Sequence, residues 1–336
     1  MMTTASAAEA GAATPGADAS RPRRAKQPQR KIVRRVVDGV LLLDKPQGLS
    51  SNTALQAARR LFRAAKAGHT GTLDPMASGL LPLTFGEATK FSQMLLDADK
   101  TYEAVVQLGV ETDSGDADGV VIATRPVAVG LAQLEAVLAR FRGEIEQIPP
   151  MYSALKRDGK ALYEYARAGI ELERAPRRVC IHALDLLSFD GDRLIFRVAC
   201  SKGTYIRSLA MDIGTTLGCG AHLCGLRRTV IGRFRVDEAV TLAQLEAAAE
   251  DDRGRLLAPV DALVAEFPAL ELDADAASGL LQGRVLSLAT GAPGEAGKIL
   301  RVYGPGGFLG LGQWQADGRL APRRLIATGG ERQGGA

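Results

Sequence analysis

The spacing of apolar residues along the chain predicts strands and helices in an irregular order. The largely apolar run from Val36 to Leu43 indicates a buried strand, and residues 193–200 alternate apolar and polar side chains as a half-buried strand does. Apolar residues at helical spacing predict one helix after Ser51, a suitable N-cap, and another across residues 206–217. Because no regular βαβ alternation links these elements, we expect an α+β fold with a mixed, largely antiparallel sheet flanked by helices.

The composition changes along the chain and predicts a division into parts. Residues 1–36 contain almost no large apolar side chain, which predicts a disordered basic arm. Residues 37–258 form the predicted main domain. From residue 259 to residue 329, short strand-like pieces alternate with glycines around one helix-like piece at 274–281. This pattern predicts a small β-rich second domain, followed by a tail at residues 330–336.

The basic character of the chain comes from the arm. Residues 1–36 hold eight basic and two acidic residues, so 34 basic and 36 acidic residues remain for the rest of the chain. A surface that binds RNA must therefore come from local clusters and not from the global charge. The arm itself is open to two interpretations, a solvated tail or an electrostatic tether for nucleic acid.

Two further patterns limit the class of protein. No apolar run approaches the roughly 20 residues of a membrane-spanning helix, and the N-terminus lacks an apolar signal segment. We expect a cytoplasmic protein without membrane contact, whose four cysteines are reduced thiols. Cys219, His222 and Cys224 have an unusual spacing for zinc, so no metal site is expected.

The loop of residues 68–82 is the segment best suited to carry a reaction. Its sequence, GHTGTLDPMASGLLP, combines three glycines with an Asp74-Pro75 step. Such a tight turn on a rigid scaffold can hold a reactive side chain in place. Taken alone, an aspartate before a proline is a common turn residue, and a structural role remains the simpler interpretation of that step.

The loop as a whole resembles the signature of the TruB family of tRNA pseudouridine synthases. Other runs resemble motifs of this family in the same order: residues 40–46 (VLLLDKP) with Gly48 and Ser50-Ser51, residues 85–90 (FGEATK), residues 201–207 (SKGTYIR), and residues 218–228. The resemblance covers about residues 37–258. It implies the pseudouridine synthase fold for this domain and a PUA-like RNA-binding module for residues 259–329.

The resemblance implies an isomerase that converts uridine 55 in the T-loop of tRNA to pseudouridine, with Asp74 as the catalytic carboxylate. The reaction exchanges a C–N bond for a C–C bond without a change in redox state, so no cofactor is expected. A cation beside the carboxylate would oppose the proton uptake that burial favours, and the resemblance gives this role to Arg207. The sequence leaves open whether Asp74 attacks the base or the ribose first.

The resemblance also assigns four residues to substrate binding by base flipping. The ring of Tyr102 stacks on the flipped uracil, Tyr205 and Leu226 line its pocket, and His69 occupies the space that the uridine leaves. Without the surrounding motifs, Tyr102 would be interpreted as a core residue of a strand.

Spacing alone leaves the arrangement of Tyr205 and Arg207 open. On a regular helix the two side chains would lie about 200° apart, whereas an extended segment would bring them to one side. Thr204 as the N-cap would place both at the helix boundary.

Residues 148–178 resemble an insertion that closes over the T-loop in this family. Its Lys156, Arg157 and Lys160 are predicted to contact phosphates, which position an RNA without reading its sequence. A second basic group is predicted either to do the same or to form a solvated strand face: Arg227, Arg228, Arg233 and Arg235. The expected partner is the T-arm of tRNA, and the expected state is a monomer.

Two rival functions remain open. The guide-RNA-dependent branch of the same superfamily works inside a ribonucleoprotein, but the run 76–79 and the insertion resemble the stand-alone bacterial branch, so no guide RNA is expected. A noncatalytic RNA-binding or RNA-folding module is the other rival. The intact set of Asp74, Tyr102 and Arg207 argues against it.

Overall fold

A computed structural model of the chain describes residues 34–288 and 295–327. The predicted arm lies outside these ranges except for its last three residues, and the predicted tail at residues 330–336 lies outside them altogether. Within the described ranges, no helix is both long enough and apolar enough to cross a membrane.

Strands provide most of the regular structure. In chain order they are β1 (Gly39–Lys45), β2 (Ala67–His69), β3 (Ala77–Phe85), β4 (Lys100–Leu108), β5 (Val110–Thr112), β6 (Val121–Thr124), β7 (Gly143–Gln147), β8 (Lys156–Arg157), β9 (Lys160–Ala161), β10 (Arg177–Asp190), β11 (Arg193–Cys200), β12 (Ala221–Ile231), β13 (Phe234–Arg235), β14 (Val240–Thr241), β15 (Ala269–Glu271), β16 (Ile299–Gly304), β17 (Gly307–Trp314) and β18 (Leu320–Leu325).

Helices connect and cover these strands. The α-helices are α1 (Ser51–Leu61), α2 (Ser92–Asp97), α3 (Leu131–Arg140), α4 (Leu162–Arg167), α5 (Ile206–Leu217), α6 (Leu242–Ala247) and α7 (Ala274–Leu281). Short 3₁₀ helices occupy Gly86–Phe91, Val236–Glu238, Arg253–Leu256 and Val260–Val264.

One large sheet forms the main domain, in the order β14-β1-β3-β12-β4-β11-β10-β7. The pairs β1·β14 and β3·β12 are parallel, and the other neighbours in this order are antiparallel. The α+β fold with a mixed, largely antiparallel sheet is therefore confirmed. Strand β12 lies between β3 and β4 in the middle of the sheet, so its side chains lie far from any sheet edge.

The core lies where α1, α3 and α5 cover this sheet. Leu209 and Ile213 of α5 are fully buried, as the helical spacing predicted, and they pack in one cluster with residues such as Phe196 of β11. Each fully buried side chain of this size stabilises the fold by about 1.5–3 kcal/mol. This packing fixes the first turn of α5 against the sheet, and that turn carries Arg207.

Two helices are capped one residue away from the positions that the sequence suggested. Ser50, and not Ser51, caps α1, because its side chain accepts a hydrogen bond of 3.1 Å from the Thr53 amide. At α5 the cap position is Tyr205, with an extended backbone (φ −100°, ψ 112°), and not Thr204. Tyr205 is therefore the last residue of the extended segment, and the helix that carries Arg207 begins directly after it. This placement at the helix boundary resolves the arrangement that spacing left open.

The C-terminal part forms a separate four-stranded sheet, β15-β16-β17-β18, against which α7 packs. This small β domain was predicted, and its helix has the predicted bounds. Two hydrogen bonds attach the sheet to the main domain: Lys90 Nζ donates to the Leu325 carbonyl (2.9 Å), and the Ala327 amide donates to Glu87 (2.8 Å). The domain boundary at residues 258/259 stays a prediction.

Candidate active site

A cavity of about 830 Å³ opens between the main sheet, the loop that follows β2 and the insertion. Its volume is in the range of ordinary small-ligand sites, and it suits a nucleoside. Its walls contain five of the six residues that the sequence assigned to the site: Asp74, Tyr102, Tyr205, Arg207 and Leu226. They come from separate parts of the sequence, and the fold brings them together.

Asp74 lies in a loop that is fixed on both sides of the carboxylate. The Ser51 hydroxyl accepts a hydrogen bond from the Leu73 amide (2.8 Å) and donates one to the Leu73 carbonyl (3.0 Å). The Gly48 amide donates to the Pro75 carbonyl (2.7 Å). Both contacts come from residues 45–51. This motif therefore holds in place the loop that carries Asp74 and the motif around it.

The run that holds the loop is shaped by a buried lysine. Lys45 is fully buried, and its ammonium donates to the carbonyls of Pro46 (2.9 Å) and Leu49 (2.7 Å). Burial lowers the pKa of Lys45 to about 8, and the charge of Asp74 opposes that shift. The lysine therefore stabilises the turn before α1 while adding positive charge beneath the site.

Arg207 pairs with two carboxylates. Its Nη2 lies 3.0 Å from Oδ2 of Asp74, and its Nη1 lies 3.3 Å from Oδ2 of Asp116. Its remaining bonds go to backbone carbonyls of Ser114 (3.3 Å) and Tyr152. Arg207 and Asp116 are buried, whereas the side chain of Asp74 keeps 39% of its surface exposed. Asp116 and the two carbonyls thus fix the guanidinium, and its Nη2 pairs with Asp74.

Burial raises the pKa of the Asp74 carboxyl above its ordinary value. The Arg207 guanidinium opposes this shift without cancelling it, while Asp116 and Asp118 act in the same direction as burial. The carboxylate is therefore less stable in its charged form than a free aspartate, although a cation adjoins it. Such a group is a stronger nucleophile and proton acceptor than an ordinary carboxylate, and perturbed groups of this kind concentrate in functional sites.

Two aromatic rings and one aliphatic side chain line the space beside Asp74. Tyr102 on β4 is buried, and Leu226 on the neighbouring β12 is half-buried, two positions from the residue opposite Tyr102. Tyr205 is held through its backbone by Gln147, which accepts from its amide (3.1 Å) and donates to its carbonyl (3.3 Å). An apolar, aromatic wall next to the Asp74 carboxylate suits a flat, uncharged base.

His69, the sixth predicted residue, lies outside the walls of the cavity. It ends β2, two residues before Gly71, which does line the cavity. Its Nδ1 is buried and has no hydrogen-bond partner among the described residues. Burial lowers the pKa of His69, and the charge of Arg228 adds to this effect, so the imidazole is neutral at pH 7.

Comparison with known proteins decides the family. The description "TruB family pseudouridylate synthase (N terminal domain)" matches residues 59–206, "tRNA pseudouridylate synthase B C-terminal domain" matches residues 207–265, and "Pseudouridine synthase II TruB, C-terminal" matches residues 268–326. A relative from Aromatoleum aromaticum, named tRNA pseudouridine synthase B, is 66% identical over 295 residues, which cover 88% of this chain and 94% of the relative. The chain belongs to the TruB family.

Two further similarities extend this assignment of the chain to the TruB family. A relative from Azoarcus sp. (strain BH72), also named tRNA pseudouridine synthase B, is 66% identical over 89% of this chain and 98% of the relative. Among solved structures, the crystal structure of the archaeal box H/ACA sRNP Nop10-Cbf5 complex is 26% identical with a TM-score of 0.64, and the match covers 87% of each chain. The pseudouridine synthase fold is therefore confirmed.

In this TruB family member the predicted insertion forms one wall of the cavity. Tyr152, Tyr163 and Arg167 of the insertion line the cavity. The predicted phosphate contacts Lys156, Arg157 and Lys160 are exposed on the hairpin β8–β9. Its turn has positive φ at both central residues, Asp158 (52°) and Gly159 (79°), which is typical of a tight two-residue hairpin. The basic residues are thus available to a ligand that covers the cavity.

Sequence reasoning missed two charged residues of the site. Asp116, the second partner of Arg207, lies in a turn-rich segment where an aspartate has no distinctive signal. Arg228 was predicted on a surface, but it is 1% exposed and lines the cavity. The surface interpretation of Arg228 was wrong, because its side chain lies on the face of β12 that it shares with the buried Tyr102. The charged sequence LRR in an otherwise apolar strand was the available signal for an interior role.

Proposed function

We propose that this protein converts uridine 55 in the T-loop of tRNA to pseudouridine, that it does so by flipping the base into the cavity, and that it needs neither cofactor nor guide RNA. Asp74 supplies the reactive carboxylate and Arg207 holds it. Tyr102, Tyr205 and Leu226 bind the flipped uracil, and His69 occupies the space that the base leaves in the RNA.

The pairing of Asp74 with Arg207 at the wall of the cavity carries this proposal. Asp74 is the one residue of the pair that reaches the cavity with a large exposed surface, and the loop on both sides of it is fixed. A fixed carboxylate beside the aromatic and aliphatic side chains of the cavity meets the requirement of a reaction that only rearranges bonds at one nucleoside. The relatives at 66% identity are named for pseudouridine synthesis in tRNA, which supports the choice of substrate.

The similarity pattern favours a stand-alone enzyme. The solved neighbour that belongs to an H/ACA ribonucleoprotein is only 26% identical, whereas the relatives named tRNA pseudouridine synthase B are 66% identical. We therefore expect the purified protein to modify a tRNA transcript with nothing else added. An isolated T-arm stem-loop should suffice as substrate, and a strict need for the anticodon arm would contradict the proposal.

The decisive test maps pseudouridine in a tRNA transcript that was treated with wild-type protein, Asp74→Asn or Asp192→Asn. Asp192→Asn is the matched control, because it makes the same chemical change in an exposed turn between β10 and β11. We expect modification at position 55 with the wild type and the control, and none with Asp74→Asn, since an amide cannot replace the reactive carboxylate.

Affinity for tRNA separates catalysis from a purely structural role of Asp74. Phosphate and shape contacts elsewhere should keep the affinity of Asp74→Asn near that of the wild type. An active Asp74→Asn protein would refute the assignment. Tight tRNA binding by a wild type that modifies no uridine would instead support a noncatalytic RNA-binding protein.

A further inference from the structure

Arg228 is a buried cation in the wall of the cavity. It lies on the central strand β12, where Tyr102 is its direct neighbour on β4 and Gly79 is its neighbour on β3. Directly opposite residues of paired strands point to the same face of a sheet. Arg228 and Tyr102 therefore face the cavity together, and both line it.

The guanidinium of Arg228 joins the parts of the base pocket. Its Nε donates to the Leu80 carbonyl (2.8 Å) and its Nη2 to the Gly71 carbonyl (3.3 Å), which belongs to the loop of Asp74. On the neighbouring strand, Tyr102 lies directly opposite Arg228, and both side chains line the cavity. One side chain thus joins strand β3 to the loop of Asp74 beside the aromatic ring.

Arg228 differs from Arg207 in having no counter-ion. Arg207 pairs with two carboxylates, whereas none of the carboxylates in residues 34–288 and 295–327 forms an ion pair with Arg228. Burying a cation without an anion is costly. An unbalanced charge of this kind at a cavity wall stabilises negative charge that arises within the cavity.

The surrounding ionisable groups respond to this charge. Burial raises the pKa of the Tyr102 hydroxyl, and Arg228 opposes that shift through its charge. Burial lowers the pKa of Lys100 to about 8, with Arg228 adding to the effect, and the same two causes lower that of His69. The charge of Arg228 therefore acts on Tyr102 and on two residues near it, Lys100 and His69.

The proposed reaction creates negative charge in that pocket. When the C1′–N1 bond breaks, the bonding electron pair stays with the uracil and spreads over its ring nitrogens and carbonyl oxygens. If the carboxylate adds to the base first, the adduct is an enolate and is also anionic. C5 of the base then bonds to C1′, and the Asp74 carboxylate leaves the carbon that it had attacked. The base loses the C5 proton and gains a proton at N1, so no oxidant or other reagent is consumed.

We propose that the unbalanced charge of Arg228, at the cavity wall beside Tyr102, stabilises the anionic uracil formed during the reaction. The proposal rests on the proposed function and names a further residue for it. Preorganised charge aimed at developing charge accounts for a large share of catalysis in many enzymes.

The experiment compares Arg228→Met and Arg228→Lys with wild type and with Arg197→Met. Arg197 is a matched control, a half-exposed arginine on β11 that pairs with Glu103 and lies outside the cavity. Single-turnover rates are measured on a T-arm stem-loop that carries either uridine or 5-fluorouridine at the target position. Fluorine stabilises an anionic uracil, and because it replaces the C5 hydrogen, the assay on this substrate follows loss of the N-glycoside.

We expect Arg228→Met to lower the rate on uridine by about 100-fold or more. Affinity for the stem-loop should stay near the wild-type value. The loss should be smaller on 5-fluorouridine, so the ratio of the two rates, fluorinated over natural, should rise. Arg228→Lys retains the charge and should keep the wild-type ratio even if its rate falls, and Arg197→Met should match the wild type in both.

Each outcome decides one question. An equal loss on both substrates, or an unchanged rate, would refute the electrostatic role of Arg228 while leaving the proposed function intact. If Arg228→Met does not fold, as judged by circular dichroism, Arg228→Gln carries the same readout, since it is neutral and still donates a hydrogen bond. A wild-type protein that leaves uridine unmodified would refute the proposed function itself, and this inference with it.

Discussion

The two carboxylates that pair with Arg207 should differ in what they contribute to stability. Asp116→Asn and Asp74→Asn make the same change on the two sides of one guanidinium. Asp116 is buried and also accepts from the Ser114 hydroxyl and the Asp118 amide, whereas the side chain of Asp74 is 39% exposed. Burial raises the pKa of Asp74, which means that its charged form destabilises the fold relative to a neutral group.

The expected magnitudes follow from these environments. Removing one partner of a buried ion pair costs about 3–5 kcal/mol. Arg207 keeps Asp74 and two backbone carbonyls in the Asp116→Asn protein, so we expect a loss of about 2–3 kcal/mol in the free energy of unfolding. This loss corresponds to a fall in Tm of roughly 4–8 °C. Asp74→Asn should keep the wild-type stability or exceed it.

The pH dependence of stability and of the reaction rate gives a second test of this reasoning. Since the folded-state pKa of Asp74 lies above its unfolded value, the charged carboxylate destabilises the fold at neutral pH, and this penalty disappears as the pH falls through the folded-state pKa. Any excess stability of Asp74→Asn over the wild type should therefore be largest near pH 7 and vanish in acid. The single-turnover rate of the wild type should fall on acidification at a higher pH than an ordinary aspartate would give.

Urea and thermal unfolding of wild type, Asp116→Asn and Asp74→Asn over a pH range from about 3, below the ordinary aspartate pKa, to about 8 measure the stabilities, and single-turnover modification of tRNA measures the activities. Both variants should lose activity, but only Asp116→Asn should lose stability. An Asp74→Asn protein that is destabilised as much as Asp116→Asn would refute the reasoning, because it would show that the pairing with Arg207 outweighs the burial of Asp74.

Three further predictions concern other parts of the chain. Gly79→Ala should destabilise the protein by about 1–3 kcal/mol in urea unfolding, because φ is +101° there and a Cβ would lie 2.3 Å from the Arg228 carbonyl; unchanged stability would contradict this. The difference in free energy of unfolding between the wild type and Lys45→Met should increase in favour of the wild type as the pH rises above about 8, by at most about 1.4 kcal/mol per pH unit. Above this pH the buried lysine has lost its proton, whereas the lysine of the unfolded chain still binds one. A flat difference would show that burial does not shift this group. Deleting residues 1–33 should flatten the salt dependence of tRNA binding, by about 0.7–0.9 in log–log slope per phosphate contact that is lost, and leave the saturating rate unchanged if the arm is a tether; a large loss of saturating rate would show that the arm shapes the site.

Much of the fold could be predicted because its patterns are local. The alternation over residues 193–200 and the helical spacing over 206–217 each depend on side chains that are neighbours in sequence, and both elements have the predicted bounds. The order of strands could not be predicted, because pairing depends on contacts between distant segments. The central position of β12 was therefore missed, and with it the burial of Arg228.

The residues of the site fall into the same two groups, those that a local motif reveals and those that depend on contacts between distant segments. Asp74 was found because its loop is a continuous motif, and five of six proposed residues do meet at one cavity. Asp116 lies 91 positions before Arg207, in a segment where aspartate is a normal turn residue, so only the folded chain reveals the contact. Ser51 was interpreted as a helix cap, but its hydroxyl holds the backbone of Leu73, since Ser50 already caps the helix.

Two glycines on either side of Asp74 have different structural reasons, and one of them connects the motif to Arg228. Gly71 has a φ of +96°, and a Cβ there would lie 3.6 Å from Nη1 of Arg228, while Gly79 packs its backbone directly against that of Arg228. Flexibility alone would work against catalysis, because ordering a glycine costs more backbone entropy than ordering another residue. Fixed contacts offset this entropy cost, because the Ser51 hydroxyl binds the loop at Leu73 and the Arg228 guanidinium binds it at Gly71. Gly71 is thus required by its backbone conformation, whereas Gly79 lets the chain approach the backbone of Arg228 closely. A substitution at Gly79 should therefore disturb Arg228 before it disturbs Asp74.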